Sequence, residues 1–225
     1  MQDNAYGTWS AFKNRYWPRK YLIDSEGFIR YNHIGEGAYE ETELKIQELL
    51  AEIGEDVSDM DISKLEDKTP TREVRTPELY AGYKFALSRS QNVGNEPGLQ
   101  PEQIINYGTP IEIKPNVIYL AGPWKSNPDD LLSQGSSSII LDFTAKSVNI
   151  VADSTSTPIE MEVFIDNKYI TKDQAGDDVQ FKGEKAFILV DKPQLYNVVR
   201  GSYSTNKLEL KVNSENFFFS AFTFG

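Results

Sequence analysis

A chain of 225 residues with 39% hydrophobic and 12% aromatic side chains can build one large core or two small ones, which excludes a wholly disordered polymer. Its net charge of −11 argues against nucleic acid and anionic membrane surfaces as partners. Zero cysteines exclude disulfides, thiolate metal sites and thiol nucleophiles within these residues, and a lone histidine, His33, excludes a multi-histidine centre.

Residues 6–15 read as a short helix, followed by Pro18. Residues 1–20 carry Asp3, Lys13, Arg15, Arg19 and Lys20 and hold no apolar run fit for a signal peptide. Nor does any later stretch reach the roughly 18–20 apolar residues that span a bilayer. If Met1 is the true start, the expected location is therefore cytoplasmic. Residues 20–24 and 28–31 read as two short strands joined by a turn at Asp24, Ser25, Glu26 and Gly27, where glycine supplies a positive φ.

The next segment carries most of the charge. Residues 36–67 hold twelve acids against Lys45 and Lys64, a net −10. Within it, Leu44, Ile46, Leu49, Leu50 and Ile53 recur at helical spacing and predict an amphipathic helix over residues 39–53. Glu40, Glu41 and Glu43 suit the positive end of the helix dipole, and Gly54 suits its stop. The acids do not have the spacing of an EF-hand loop and read as a solvated face. Residues 55–75, with Pro70, read as an acidic linker.

After Pro77 the texture changes to short alternating strands at residues 138–144, 147–152, 159–165, 186–190, 194–200, 207–212 and 216–224. Ile159, Met161, Val163 and Ile165 share one face, with Glu160, Glu162 and Phe164 on the other. Leu208, Leu210 and Val212 repeat the pattern against Lys207, Glu209 and Lys211. This predicts an all-β antiparallel sandwich, jelly-roll-like, over residues 76–225.

Residues 9–24 (WSAFKNRYWPRKYLID), residues 27–37 ending in Gly35, Glu36 and Gly37, and then Tyr39, Glu41, Thr42 and Glu43 resemble the C-terminal half of the thioredoxin-like domain of DipZ-type redoxins. The resemblance continues through residues 76–83, residues 176–179, Leu195, Tyr196 and residues 222–225, which look like the carbohydrate-binding-module-like sandwich that follows that domain. It implies an α+β partial thioredoxin-like fold over residues 1–54 followed by the sandwich, and an extracytoplasmic location. Pro18 falls at the family's cis-proline position, so Trp17 and Pro18 become candidate substrate-contact residues. The family's CxxC pair has no counterpart among these 225 residues. Dithiol exchange needs one thiolate to attack and a second thiol to resolve, so the expectation is a chain that is non-catalytic by itself.

Three functional readings follow. The chain is a portion of a redoxin carrying a docking or ligand-binding sandwich, or a glycan-binding module with a redoxin remnant as spacer, or one half of a split redoxin. In the first and third, Tyr21, Ile23, Phe28 and Ile29 are left partly uncovered, and the expected cover is a polypeptide that supplies the missing half, the sandwich, or a second copy. For the glycan reading, Trp124 and tyrosines 80, 83, 107 and 119 are the candidate stacking rings, with carbohydrate as the partner. Adjacent carboxylates at Asp177 and Asp178 are a weak candidate for a calcium turn, with an ordinary turn the favoured reading. His33 reads as a strand-end histidine, and no motif calls for a cofactor.

Overall fold

The computed structural model describes residues 3, 5–58, 60, 75–155 and 157–225. The chain divides into two compact units, Met1–Glu73 and Val74–Gly225. Of the expected linker, residues 59 and 61–74 lie outside the described residues.

The first unit is a helix–hairpin–helix. Helix α1 (Gly7–Ala11) is shorter than expected. The Asp3 carboxylate accepts the Thr8 and Trp9 amides at 3.2 and 2.9 Å, satisfying donors that a helix start leaves free. Strands β1 (Arg19–Ile23) and β2 (Ile29–Ile34) pair antiparallel, with Arg19 opposite Ile34 and Leu22 opposite Tyr31. In the turn between them the Asp24 carboxylate accepts the Glu26 and Phe28 amides, and Gly27 adopts φ 90. Helix α2 (Tyr39–Glu52) ends as its periodicity predicted. Gly54 takes φ 88, and the Gly54 and Glu55 amides close on the Ala51 and Leu50 carbonyls.

The second unit holds the core. After β3 (Leu79–Tyr80), α3 (Tyr83–Ser88) and β4 (Ile104–Tyr107) come β5 (Tyr119–Ser126), β6 (Leu131–Ser133) and β7 (Gly135–Ser154). Then follow β8 (Ile159–Ile165), β9 (Lys168–Tyr169), β10 (Val179–Lys182), β11 (Lys185–Val190), β12 (Gln194–Ser214) and β13 (Phe217–Phe224). Among the described residues they form an eleven-stranded sheet ordered β10-β11-β8-β12-β7-β13-β6-β5-β4, with β3 on β13 and β9 on β8.

Two corrections to the expected strands arise at one bulge. Residues 138–144 and 147–152 belong to the single strand β7, and residues 194–200 and 207–212 to the single strand β12. In β7 the buried positions, Ile140 apart, are odd-numbered up to Ala145 and even-numbered from Val148. The facing segment of β12 slips register between Arg200 and Ser204. The bulge flips the alternation of β7, and in β12 the exposed run from Arg200 to Thr205 interrupts it; each looks in sequence like a strand boundary.

Strand β7 pairs with β5 in its first half and with β13 in its second, while β6 joins β5 to β13. These four strands close a circuit of pairings around Trp124, Leu131, Phe217 and Phe219, all fully buried. At the tight point of that circuit, Gly122 adopts φ +81, and a Cβ there would lie 2.3 Å from the Ser136 carbonyl oxygen. Left-handed backbone costs an L-residue about 1–2 kcal/mol, and backbone cannot swing aside as a flexible side chain can. Gly122→Ala is expected to lower stability by about 3 kcal/mol or more in urea titration, in the range of strained-backbone substitutions.

Candidate functional site

The hairpin of the first unit presents the Trp17–Pro18 pair at its entrance. The Trp17–Pro18 peptide is cis, the Pro18 carbonyl accepts the Gly35 amide at 2.8 Å, and the Trp17 ring is 87% exposed. Behind the pair, Arg19 stacks over Tyr21 at 4.7 Å and donates to Asn32 at 3.1 Å. Lys20 lies 4.4 Å from the Tyr39 ring centroid and donates to the Gly37 carbonyl at 2.6 Å. The strand β1 is thereby fixed to β2 and to the start of α2.

Arg30 fixes the far end of the hairpin. Its guanidinium forks onto Glu52 at 2.8 and 2.9 Å and reaches Asp24 at 3.2 Å. The Phe28 amide, with help from Arg30, holds the Asp24 carboxyl below its ordinary value. His33 is half-buried, with Nε2 3.1 Å from the Glu36 carbonyl.

None of the residues of α1, β1, β2 or α2 is buried. Tyr21 is half-buried, while Ile23, Phe28 and Ile29 are exposed, as expected for an uncovered hairpin. A groove of ≈ 340 Å³ runs between β1 and α2, lined by Leu22, Ile23, Ile46, Leu49, Leu50 and Ile53. On the α1 side, a second groove of ≈ 450 Å³ includes Trp9, Phe12 and Tyr21. An apolar concavity thus lies on each side of the hairpin.

The second unit corrects the expected stacking rings. Trp124 is 0% exposed, packs edge-on to Phe217 at 6.3 Å and donates its indole N–H to the Ala121 carbonyl at 3.1 Å. Tyr107 and Tyr119 are buried as well: Tyr107 donates to the Gly98 carbonyl, and the Tyr119 hydroxyl accepts the Lys114 amide. Tyr80 is half-buried, with Phe85 stacked on it at 6.0 Å and Arg89 at 4.7 Å. Tyr83 is half-buried and donates to Glu102 at 3.0 Å. Three of the five rings are spent in the core, while Tyr80 packs on Phe85 and Arg89 and Tyr83 is tied to Glu102.

The candidate calcium turn is also spent internally. The Asp177 carboxylate takes both contacts of Arg200 at 2.9 Å, and Asp178 accepts the Asn197 amide at 2.6 Å. The two carboxylates therefore latch the turn to β12 through separate partners. Among the described residues no group of three or more His, Cys, Asp or Glu could hold a metal ion.

One cluster escaped sequence reasoning. Lys185 pairs with Glu160 at 2.8 Å and Glu162 at 3.0 Å, and the Tyr169 hydroxyl donates to Glu162 at 2.6 Å. That bond from Tyr169, aided by Lys185, lowers the Glu162 pKa, and the same bond raises that of the phenol against the opposing Lys185 charge. Phe164 sits between Tyr169 at 4.4 Å and Lys211 at 4.5 Å. Glu160, Glu162 and Phe164 alternate outward on β8, but Lys185 and Tyr169 reach them only through the pairing of β11 and β9 with β8. Their charges and ring faces already have partners within the cluster.

The family model described as "Thioredoxin like C-terminal domain" matches residues 76–225. The chain belongs to this family. The chain is also 35% identical over 158 residues to Protein DipZ of Mycobacterium bovis (strain ATCC BAA-935 / AF2122/97), covering 69% of this chain and 22% of that relative. The same identity and coverage hold for Protein DipZ of Mycobacterium tuberculosis (strain CDC 1551 / Oshkosh). The chain spans about a fifth of the length of these curated relatives, at 22%. The thioredoxin-like C-terminal domain match falls entirely within the sheet-rich second unit, Val74–Gly225, and the hairpin unit precedes it. Among the described residues no helix is long and apolar enough to cross a membrane.

Proposed function

We propose that this chain is the C-terminal part of an extracytoplasmic thiol–disulfide exchange protein. Residues 1–54 act as the second half of a thioredoxin-like domain, and residues 76–225 as a sandwich-type docking or ligand-binding module. The carrying observation is the first unit itself: a hairpin and two helices without a buried residue, with apolar grooves on both sides. A unit of about 50 residues stabilises itself poorly, and apolar faces of this extent call for a cover. The cover is a polypeptide segment bearing the remaining strands and the CxxC pair. In the completed domain one thiolate attacks a substrate disulfide, the S–S bond breaks as a mixed disulfide forms, and the second thiol releases it. The pair ends oxidised and the substrate reduced. Trp17 and Pro18 contact the substrate chain. For the second unit, the mid-strand bulges of β7 and β12 support the sandwich reading, since bent strands can serve two packed layers.

The test is insulin reduction with dithiothreitol as electron donor. The cysteine-free chain is expected to give the uncatalysed rate. Adding a segment with the early strands and a CxxC pair is expected to give a stoichiometric complex by light scattering, and turnover. A Ser-x-x-Ser version of the segment should keep the complex and lose the turnover. Turnover by the chain without the segment, or no complex with it, would overturn the proposal. Reading the DNA ahead of the Met1 codon for an in-frame CxxC identifies the segment to use.

A further inference from the structure

Beside Pro18 the local chemistry departs from the rest of this acidic chain. Residues 13–20 contain Lys13, Arg15, Arg19 and Lys20 and no acid, within a chain of net charge −11. Among the described residues, none of the four cations pairs with a carboxylate. Arg19 and Lys20 rest on tyrosine rings, and among the described residues the exposed side chains of Lys13 and Arg15 form no ion pair, hydrogen bond or ring contact. The flanking acids in sequence, Asp3 and Asp24, are already engaged: Asp3 accepts two amides of α1, and Asp24 accepts the Glu26 and Phe28 amides and meets Arg30.

Exposed rings accompany the charge. Tyr6, Tyr16 and Trp17 are each more than half exposed, an unusual concentration for a stretch this short. The main chain is open as well. Within the described residues the Arg15 and Trp17 amides donate to nothing, and the Arg15, Tyr16 and Trp17 carbonyls accept nothing. Cations, flat apolar rings and unpaired peptide groups together match an extended polypeptide that carries carboxylates. The rings cover its backbone, the cations meet its acids, and its peptide groups find the open ones.

We infer that the loop at residues 13–17, beside Pro18, docks an extended acidic polypeptide segment, which names the substrate class for the site proposed above and rests on that reading. The attraction is local. The acids of α2 give the first unit as a whole a negative field, so the preference is carried within about a Debye length, roughly 10 Å at 0.1 M salt.

The whole chain is tested by fluorescence anisotropy against three labelled peptides of one length: acidic, its Gln/Asn equivalent, and basic. The acidic peptide is expected to bind about tenfold tighter than the neutral one at low salt, the size of two modest charge pairs. Raising salt to about 1 M, where the Debye length is roughly 3 Å, should erase that margin. The double variant Lys13→Glu, Arg15→Glu should abolish it, and Trp17→Ala should weaken all three peptides. These positions are exposed, and an unchanged circular dichroism spectrum checks that the variants are folded. Equal binding of the three peptides, binding of none, or a preference that survives the double variant would overturn the inference. Because the peptides meet the chain without the completing segment, an acidic preference alongside failed complementation would leave the docking site standing and sink only the exchange reading.

Discussion

Trp124→Ala is expected to lower the stability of the second unit by about 3–5 kcal/mol, the usual cost of truncating a fully buried large aromatic. The ring is fully buried in the circuit closed by β5, β6, β7 and β13, where it meets Phe217 edge-on. Removing it leaves a cavity too confined by hydrogen-bonded strands to collapse, and strips the Ala121 carbonyl of the indole N–H. Urea titration followed by circular dichroism would show the midpoint falling with little change in slope. A sugar-stacking tryptophan behaves otherwise. Its truncation would leave stability within about 0.5 kcal/mol, as surface changes do. That outcome would return Trp124 to the list of ligand-contact residues and displace it from the core.

How far the sequence reaches depends on what each signal encodes. Helix α2 was legible because Ile46, Leu49, Leu50 and Ile53 share a helical face and Gly54 ends it. Strand β8 was legible because its alternation is unbroken from Ile159 to Ile165. Alternation also misled: the phase flip after Ala145 turned the one strand β7 into two. Strand β5 was hidden by Gly122 and Pro123, residues that usually argue against a strand interior, whereas here Gly122 permits a close backbone approach. Strands β4, β6 and β10 have four residues or fewer, too short for a period to emerge.

The candidate sites divide along the same line. Trp17 and Pro18 were found by motif, and the structure leaves the Trp17 ring in solvent. The rings of the second unit were found by residue type alone, which does not say on which side of a strand a side chain falls. Leu120, Trp124 and Ser126 are buried at even spacing on β5, a pattern that could have placed Trp124 inside once the strand was recognised. The Glu162, Lys185 and Tyr169 cluster joins β8, β9 and β11, so only strand pairing could reveal it.

Amide hydrogen exchange on the intact chain is expected to separate the two units sharply. In the first unit a two-stranded hairpin and a fourteen-residue helix stand without a buried residue. Both elements are marginal in water when nothing covers them, so opening costs about 0–2 kcal/mol and protection stays below roughly 30-fold. The hydrogen bonds closing the Asp24 turn and the Arg30–Glu52 fork are exposed and add little. Amides of β7 and β12 must instead await opening of a core that includes Leu141, Ile150, Tyr196 and Leu210, at a cost near the global 5–15 kcal/mol and a protection above about 1,000-fold. First-unit amides as slow as those of β7 in the chain by itself would mean that the hairpin is stable uncovered, removing the physical reason for a completing segment. If the segment binds as proposed, β1 amides gain a strand partner and the grooves beside Ile23 and Leu50 fill. Their exchange should then slow by at least about 100-fold, since burying a few aliphatic side chains is worth more than the roughly 2.7 kcal/mol that factor represents.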